Sequence, residues 1–562
     1  MPSLHSILPG SSSLSLEGLA SQAVVPGALI GIIFHLAIAR RLKVEDFMYQ
    51  LIAVIPFAIF GIASIYSLVG FPLFDVFTRT CIVASSFNAG LFSSMTIYRL
   101  FFHRLRNFPG PIDVKVSRLF SAFRAANSGK YYNEIGQMHE EYGDFVRTGP
   151  RELSIRRKSV VSSIFGPNSK CLKSTWYMQQ DVDSRRSSLH LATDRDDHRR
   201  RRRAWDRGLS IKALNAYEPR IKVLVDSLVS QISQQTVNVT AWTMFLTFDS
   251  VGEVGFGKSF GCVSSGIEHS AIKGIHDHMA VLGVMGLVPW LLNLLTRIPG
   301  ATAGYAPMFS YCASRVEENR KTFDPEEYPT DVMSWLLKAV VEKDISASPT
   351  EKSLEEDARA LLVAGSDTSA STLASALFYL AKFPLVLKKL QAQIDIAMPS
   401  PADWTYEKMK SITYLDNIID EVLRLKPALQ TGGYRETPAQ GIEIDGQYIP
   451  GYTNVFVPQK VIHLDERYWK QAKEFIPERF GERSIEMETD GAPYMPFGSG
   501  AFSCPGKNLA MMMMRIAISR IAQHFDILFA PGETGEEFDN GAIDAFTTIL
   551  PPLMLEFQLR KR

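Results

Sequence analysis

Paired cysteines are missing from this chain. Its 562 residues hold only five, at 81, 171, 262, 312 and 504. They are odd in number and scattered, which excludes a disulfide scaffold and a Cys-x-x-Cys zinc site, and free thiols suit a reducing compartment. An excess of charge of one sign is missing too: 60 Lys and Arg against 59 Asp and Glu leave +1, so the total makes no case for a nucleic-acid partner. No Gly-x-Gly-x-x-Gly follows a strand pattern, so no flavin or dinucleotide domain is read from the sequence. No internal repeat is visible.

Charge is absent altogether from three N-terminal stretches. No Lys, Arg, Asp or Glu lies between Glu17 and Arg40, between Asp46 and Asp75, or between Arg79 and Arg99. Each stretch is long enough to cross roughly 30 Å of hydrocarbon. The pattern predicts a membrane anchor over residues 1–107, with three transmembrane helices at about 20–39, 50–72 and 80–98. A cleaved signal peptide would need a basic leader, and residues 1–24 contain no Lys or Arg. Arg40, Arg41 and Lys43 fall in the first loop, and Arg99, Arg104 and Arg106 follow the third span. Basic flanks remain on the cytosolic side, which places the N-terminus in the lumen. Phe108-Pro109-Gly110-Pro111 then opens a second domain, 108–562, with a rigid turn.

That second domain reads as mainly α with a small β region. Apolar residues recur at three and four from about Ala213 through Lys382. Residues 144–147 and 152–155 suggest short strands, and Ile442 to Pro450 suggests a hairpin around Asp445-Gly446.

The chemistry concentrates in Phe497-Gly498-Ser499-Gly500-Ala501-Phe502-Ser503-Cys504-Pro505-Gly506. The glycines permit a tight turn and a close approach to a flat cofactor, and Phe497 offers it an aromatic face. Pro505 and Gly506 predict a helix starting just after the cysteine, so a Cys504 thiolate would meet the helix's positive end. Such a sulfur can ligate haem iron; a buried structural cysteine is the alternative. Ala364-Gly365-Ser366-Asp367-Thr368-Ser369 lies midway along a helical run from about 354 to 383. Asp367 and Thr368 supply an acid and a hydroxyl suited to moving protons, unless Thr368 merely bonds back to its own helix. Glu421 and Arg424 stand three apart on one helix face. Phe475-Ile476-Pro477-Glu478-Arg479-Phe480 supplies a further arginine.

Taken in this order and spacing, the four motifs resemble those of the cytochrome P-450 superfamily from about Phe108 to Arg562. The resemblance implies that fold and a haem group with Cys504 as axial thiolate. It implies cofactor contacts at Phe497, Gly498 and Gly506, proton handling by Asp367 and Thr368, and a fold-holding role for Glu421, Arg424 and Arg479. The family pattern carries an arginine two residues before the cysteine, where this chain has Phe502. His198 and Arg202, at i and i+4, match the family's Trp/His-x-x-x-Arg, and Arg435 matches another propionate-binding arginine. The implied activity is a membrane-bound monooxygenase inserting one atom of O2 into an apolar organic substrate. Electrons would come from NADPH through a separate reductase, and the catalytic domain would face the cytosol from the endoplasmic reticulum. Gln430 to Pro438 resembles fungal members that tailor secondary metabolites. Two rivals are a haem-thiolate isomerase or dehydratase and a non-catalytic haem-binding protein. Arg199 to Arg203 is either a solvated face or a docking face for the electron donor. The sequon Asn238-Val239-Thr240, the Met511–Met514 run and His463 read as an unused sequon, adaptable packing and a structural histidine.

Overall fold

The structure, a computed structural model, describes residues 23–42, 47–178 and 183–561. The chain divides into two compact units, Met1–Asn107 and Phe108–Arg562.

In the first unit the described helices are α1 (Val25–Ala37), α2 (Met48–Leu68) and α3 (Leu73–Ile97). Among the described residues two helices are long and apolar enough to cross a membrane, Tyr49–Leu68 and Leu73–Phe102. Phe57, Phe60 and Leu68 on the first and Phe74 and Phe77 on the second are exposed, as lipid-facing residues would be. Of the expected first span, residues 20–22 lie outside the described residues, and the described α1 has 13 residues, about 20 Å at 1.5 Å each. α1 packs through glycine: a Cβ on Gly31 would overlap the Phe87 carbonyl, and one on Gly90 would overlap Ala28. Small residues let helix backbones approach in this way. The third helix starts earlier than expected because Gly70, at φ +93°, turns the chain and Pro72 precedes α3. Asp75 and Arg79 therefore fall inside α3, and Arg79 covers the Phe71 ring at 4.1 Å.

The second unit is built on helices α4 (Arg195–Gly208), α5 (Val239–Phe256), α6 (Ser270–Met285), α7 (Glu351–Lys382), α8 (Thr413–Leu425) and α9 (Lys507–His524). The 32-residue α7 runs through its centre. A reciprocal cap between Thr350 and Ser353 starts it. Alanine, serine and leucine lie on every side of it, the pattern of a helix buried all round. Gly255 and Gly365 let α5 close on α7, since added Cβ atoms would come within 2.9 Å of Leu361 and 2.7 Å of Val251. Met511 to Met514, on α9, are all buried in this core.

A five-stranded sheet flanks the helices. Its strands are β1 (Phe145–Gly149), β2 (Glu152–Ile155), β3 (Leu172–Lys173), β4 (Tyr434–Glu436) and β5 (Asn454–Phe456), in the order β1-β2-β5-β4-β3. The β3–β4 register sets Lys173 opposite Arg435. The hairpin expected around Asp445-Gly446 forms between Ile442–Ile444 and Gln447–Ile449. A late hairpin, β6 (Ile543–Ala545) and β7 (Thr547–Ile549), turns at Phe546. Asn238 caps α5 and Thr240 donates to the Pro551 carbonyl, so the sequon is part of the fold.

Candidate functional site

The cysteine loop folds onto itself before α9. The Cys504 amide donates to the Phe497 carbonyl at 2.9 Å, and the chain turns at Gly498 (φ +64°) and Gly500 (φ +65°). A Cβ on Gly500 would also strike the Phe165 carbonyl, whereas one on Gly506 would meet only Cys504 Sγ at 3.9 Å. Two of these glycines are thus required by turn geometry. Gly506 caps α9, which begins at Lys507. Cys504 is exposed, yet few waters can surround its sulfur. Burial pushes the thiol up, opposed by the Gly506 and Lys507 amides and the Arg202 charge. Arg202 reaches the loop from α4, donating to the Ser503 carbonyl at 2.7 Å while pairing with Asp206.

Around Phe502 the structure collects positive charge. Lys173 Nζ lies 5.1 Å from the ring centre, Arg435 Cζ lies 5.2 Å away, and the His198 ring meets its edge at 4.8 Å. Lys173 is 7% exposed and, among the described residues, donates only to the Leu189 and His190 carbonyls, at 3.2 and 2.6 Å. Buried Arg435 donates to Tyr177 Oη and the Tyr434 carbonyl. Neither cation has a carboxylate partner among the described residues. Burial, with Arg435, Arg201 and Arg202 nearby, drives the Lys173 ammonium well below its ordinary pKa. Burial, then the charges of Lys173, Arg202 and Arg201, hold His198 neutral, its pKa down to about 2. Keeping Lys173 and Arg435 charged here is costly without an anion. A flat macrocycle carrying two carboxylates, bound at the adjoining cysteine, meets that demand, so these residues fit haem. The sequence had pointed to His198, Arg202 and Arg435; it did not point to Lys173, whose only signal is a strand register invisible in one sequence.

The centre of α7 carries the second motif. Ala364 is exposed and Gly365 and Thr368 half-buried in a helix otherwise packed on all sides. Gly365 is required by the α5 contact. Thr368 Oγ1 donates to the Ala364 carbonyl at 2.7 Å. Asp367 is buried, and neither its Oδ2 nor the nearby Thr547 Oγ1 has a hydrogen-bond partner among the described residues. Burial raises the Asp367 carboxyl, opposed by the Thr547 hydroxyl and the charge of His276. Asp367 and Thr368 therefore do not bond to each other.

Glu421, Arg424 and Arg479 meet at 0% exposure. Glu421 takes Arg424 at 2.7 and 2.8 Å and Arg479 at 2.9 Å, and accepts the Ile476 amide at 2.9 Å. Both guanidinium groups also bond to carbonyls, Arg424 to His463 and Ala472, Arg479 to Lys470 and Gln471. The buried charges are thus fully hydrogen-bonded, as buried charge requires. His463 is buried here, its Nδ1 facing the Arg424 carbonyl. The arginine run is not a uniform face: Arg199 to Arg202 pair with Asp196, Asp197, Asp357 and Asp206 respectively.

Known proteins resemble this chain in sequence and in fold. The family model for cytochrome P450 matches residues 109–557. The cytochrome P450 monooxygenase orf5 of Eupenicillium brefeldianum is 39% identical, with 84% of this chain and 94% of that protein covered. The monooxygenase FCK2 of Fusarium pseudograminearum is 32% identical, covering 95% and 97%. Tryprostatin B 6-hydroxylase of Aspergillus fumigatus is 31% identical, covering 84% of each. Among solved structures, a cytochrome P450 haem domain superposes with a TM-score of 0.65 at 17% identity, covering 78% and 95%.

Proposed function

Because the chain belongs to the cytochrome P450 family, we propose that it uses Cys504 as the haem thiolate and hydroxylates an apolar intermediate of fungal secondary metabolism. It is a haem-thiolate monooxygenase, which sets the isomerase and the non-catalytic rivals aside, and it needs an organic substrate, O2 and a redox partner. Bound haem supplies oxygen activation and the insertion of one oxygen atom.

The protein's own residues do the rest. Lys173, Arg202 and Arg435 hold the two carboxylates, His198 serves as a neutral neighbour, and Phe497 packs beside the ring. The cation cluster around Phe502 is the observation that carries this reading. Thr368 spends its hydroxyl proton on the Ala364 carbonyl, so its free lone pairs accept a hydrogen bond from a water in the site. Asp367, raised by burial, takes up and releases protons toward that water. Electrons come from NADPH through a separate reductase. The two long apolar helices are compatible with membrane anchoring. In our reading α2 and α3 cross as a hairpin in the endoplasmic reticulum, with the basic residues at 40–43 and 99–106 on the cytosolic side.

Thr368→Ala tests the proton assignment. With general acid–base groups contributing typically 10²–10⁴-fold, product formation should fall at least about tenfold. NADPH oxidation should persist and end in hydrogen peroxide, with haem content unchanged. Full coupling of NADPH to product in the variant would leave Thr368 only a helical role.

A further inference from the structure

The β6–β7 hairpin carries a carboxylate that oxygen chemistry does not use. Asp544 is 8% exposed. Its Oδ2 accepts the Tyr132 amide at 3.2 Å and the Thr431 hydroxyl. Its Oδ1 accepts no hydrogen bond, and no cation pairs with it, among the described residues. Lys460 is the nearby positive charge, but it donates to Gln430 Oε1 at 3.1 Å and lies over the Tyr132 ring. Burial pushes the Asp544 carboxyl up to about 6.

The carboxylate faces a small cavity of about 30 Å³, which it lines with Tyr131, Trp176, Thr431, Tyr434 and Phe546. That volume holds one or two water-sized groups. The walls are aromatic: Trp176 stacks on Tyr434 at 5.8 Å and meets Phe546 at 4.5 Å. Phe546 sits at φ +70°, a strained setting for a bulky residue that persists where surrounding structure fixes it. The next residue, Thr547, adjoins Asp367 of α7, so one hairpin joins this cavity to the proton-handling helix.

An unpaired buried carboxylate beside ring faces selects for a cation, through a charge-assisted hydrogen bond and cation–π attraction. A neutral amide would satisfy Oδ1 but leave the buried charge uncompensated. A metal ion would need further ligands, and no cluster of three His, Cys, Asp or Glu exists among the described residues. We propose that this cavity receives a protonated amine of the substrate, held by Asp544 and the rings of Trp176 and Phe546, so that the substrate class is a basic, otherwise apolar nitrogen compound. The inference rests on the monooxygenase reading above.

Equilibrium dialysis of the haem-loaded protein tests it with 3-phenylpropylamine, whose primary ammonium matches the cavity's size, and its uncharged isostere butylbenzene. Wild type should hold the amine about tenfold or more tighter than the hydrocarbon, the worth of one hydrogen bond to a charged group. Asp544→Asn keeps an acceptor for Tyr132 and Thr431, and should bring the ratio to unity or below, since the ammonium would lack a counter-charge, while hydrocarbon binding and the thiolate spectrum stay as in wild type. Phe546→Leu, with the carboxylate intact, should lower the ratio about threefold. No preference in wild type overturns the inference. So does a preference that survives in Asp544→Asn, as iron ligation by the amine would. Should Asp544→Asn not load haem, an unchanged ratio in Phe546→Leu overturns it. Failure of the monooxygenase reading itself would appear separately, as a wild-type protein without the thiolate spectrum.

Discussion

At position 502 a phenyl ring stands where the family pattern carries a guanidinium, and the neighbouring cations explain why it is tolerated. Lys173 and Arg435 both contact the Phe502 ring, so an arginine there would add a further positive charge to an already crowded cluster. Lys173→Met should speed haem loss about tenfold or more, since a hydrogen bond to a charged group contributes roughly 1.5–3 kcal/mol. Phe502→Arg should not slow haem loss in wild type, but should slow it in the Lys173→Met background. Haem transfer to an apo-globin acceptor measures all four proteins, and the double-mutant cycle isolates the pair. Additive effects would mean that the two positions serve separate contacts.

At the scale of elements, α8 is tied to the segment after β5 by one carboxylate. Glu421 serves two guanidinium groups and one amide, so its loss leaves two buried cations without a counter-charge. Glu421→Ala should therefore cost about 3–5 kcal/mol and yield unstable, haem-poor protein. Thermal unfolding followed by haem absorbance would show it. A stable variant with normal haem and lowered turnover would instead make Glu421 a participant in the chemistry. The α5–α7 contact at Gly255 and Gly365 is a similar constraint: it fixes the central helix closely enough that Ala364 and Thr368 stay on its open side.

Across the whole molecule, the division at Asn107 separates two kinds of hydrophobicity. The first unit exposes phenylalanines on its long helices, whereas the second buries its apolar residues in a large core cluster and a smaller one beside the five-stranded sheet. A chain beginning at Phe108 should fold, load haem and give the carbon-monoxide spectrum of cysteine-ligated haem, while losing sedimentation with membranes in a fractionated lysate. A spectrum lost on truncation, with the full chain normal, would mean that the first unit supports the fold of the second.

The sequence alone determined the chemistry at Cys504 and the positions of α7, α8 and α9, because these rest on local signals: a proline and glycine after a cysteine, small residues within a helical run, opposite charges three apart. It also determined that the N-terminal residues are apolar enough for a membrane. Only the tertiary structure decided that α1 packs against α3, since glycine contacts depend on two segments meeting. Only the structure brought in Lys173 and Asp544, whose meaning comes from what burial leaves unpaired. A charged side chain acquires that meaning when distant strands remove its water, and no spacing along a single chain records which partners it will then lack.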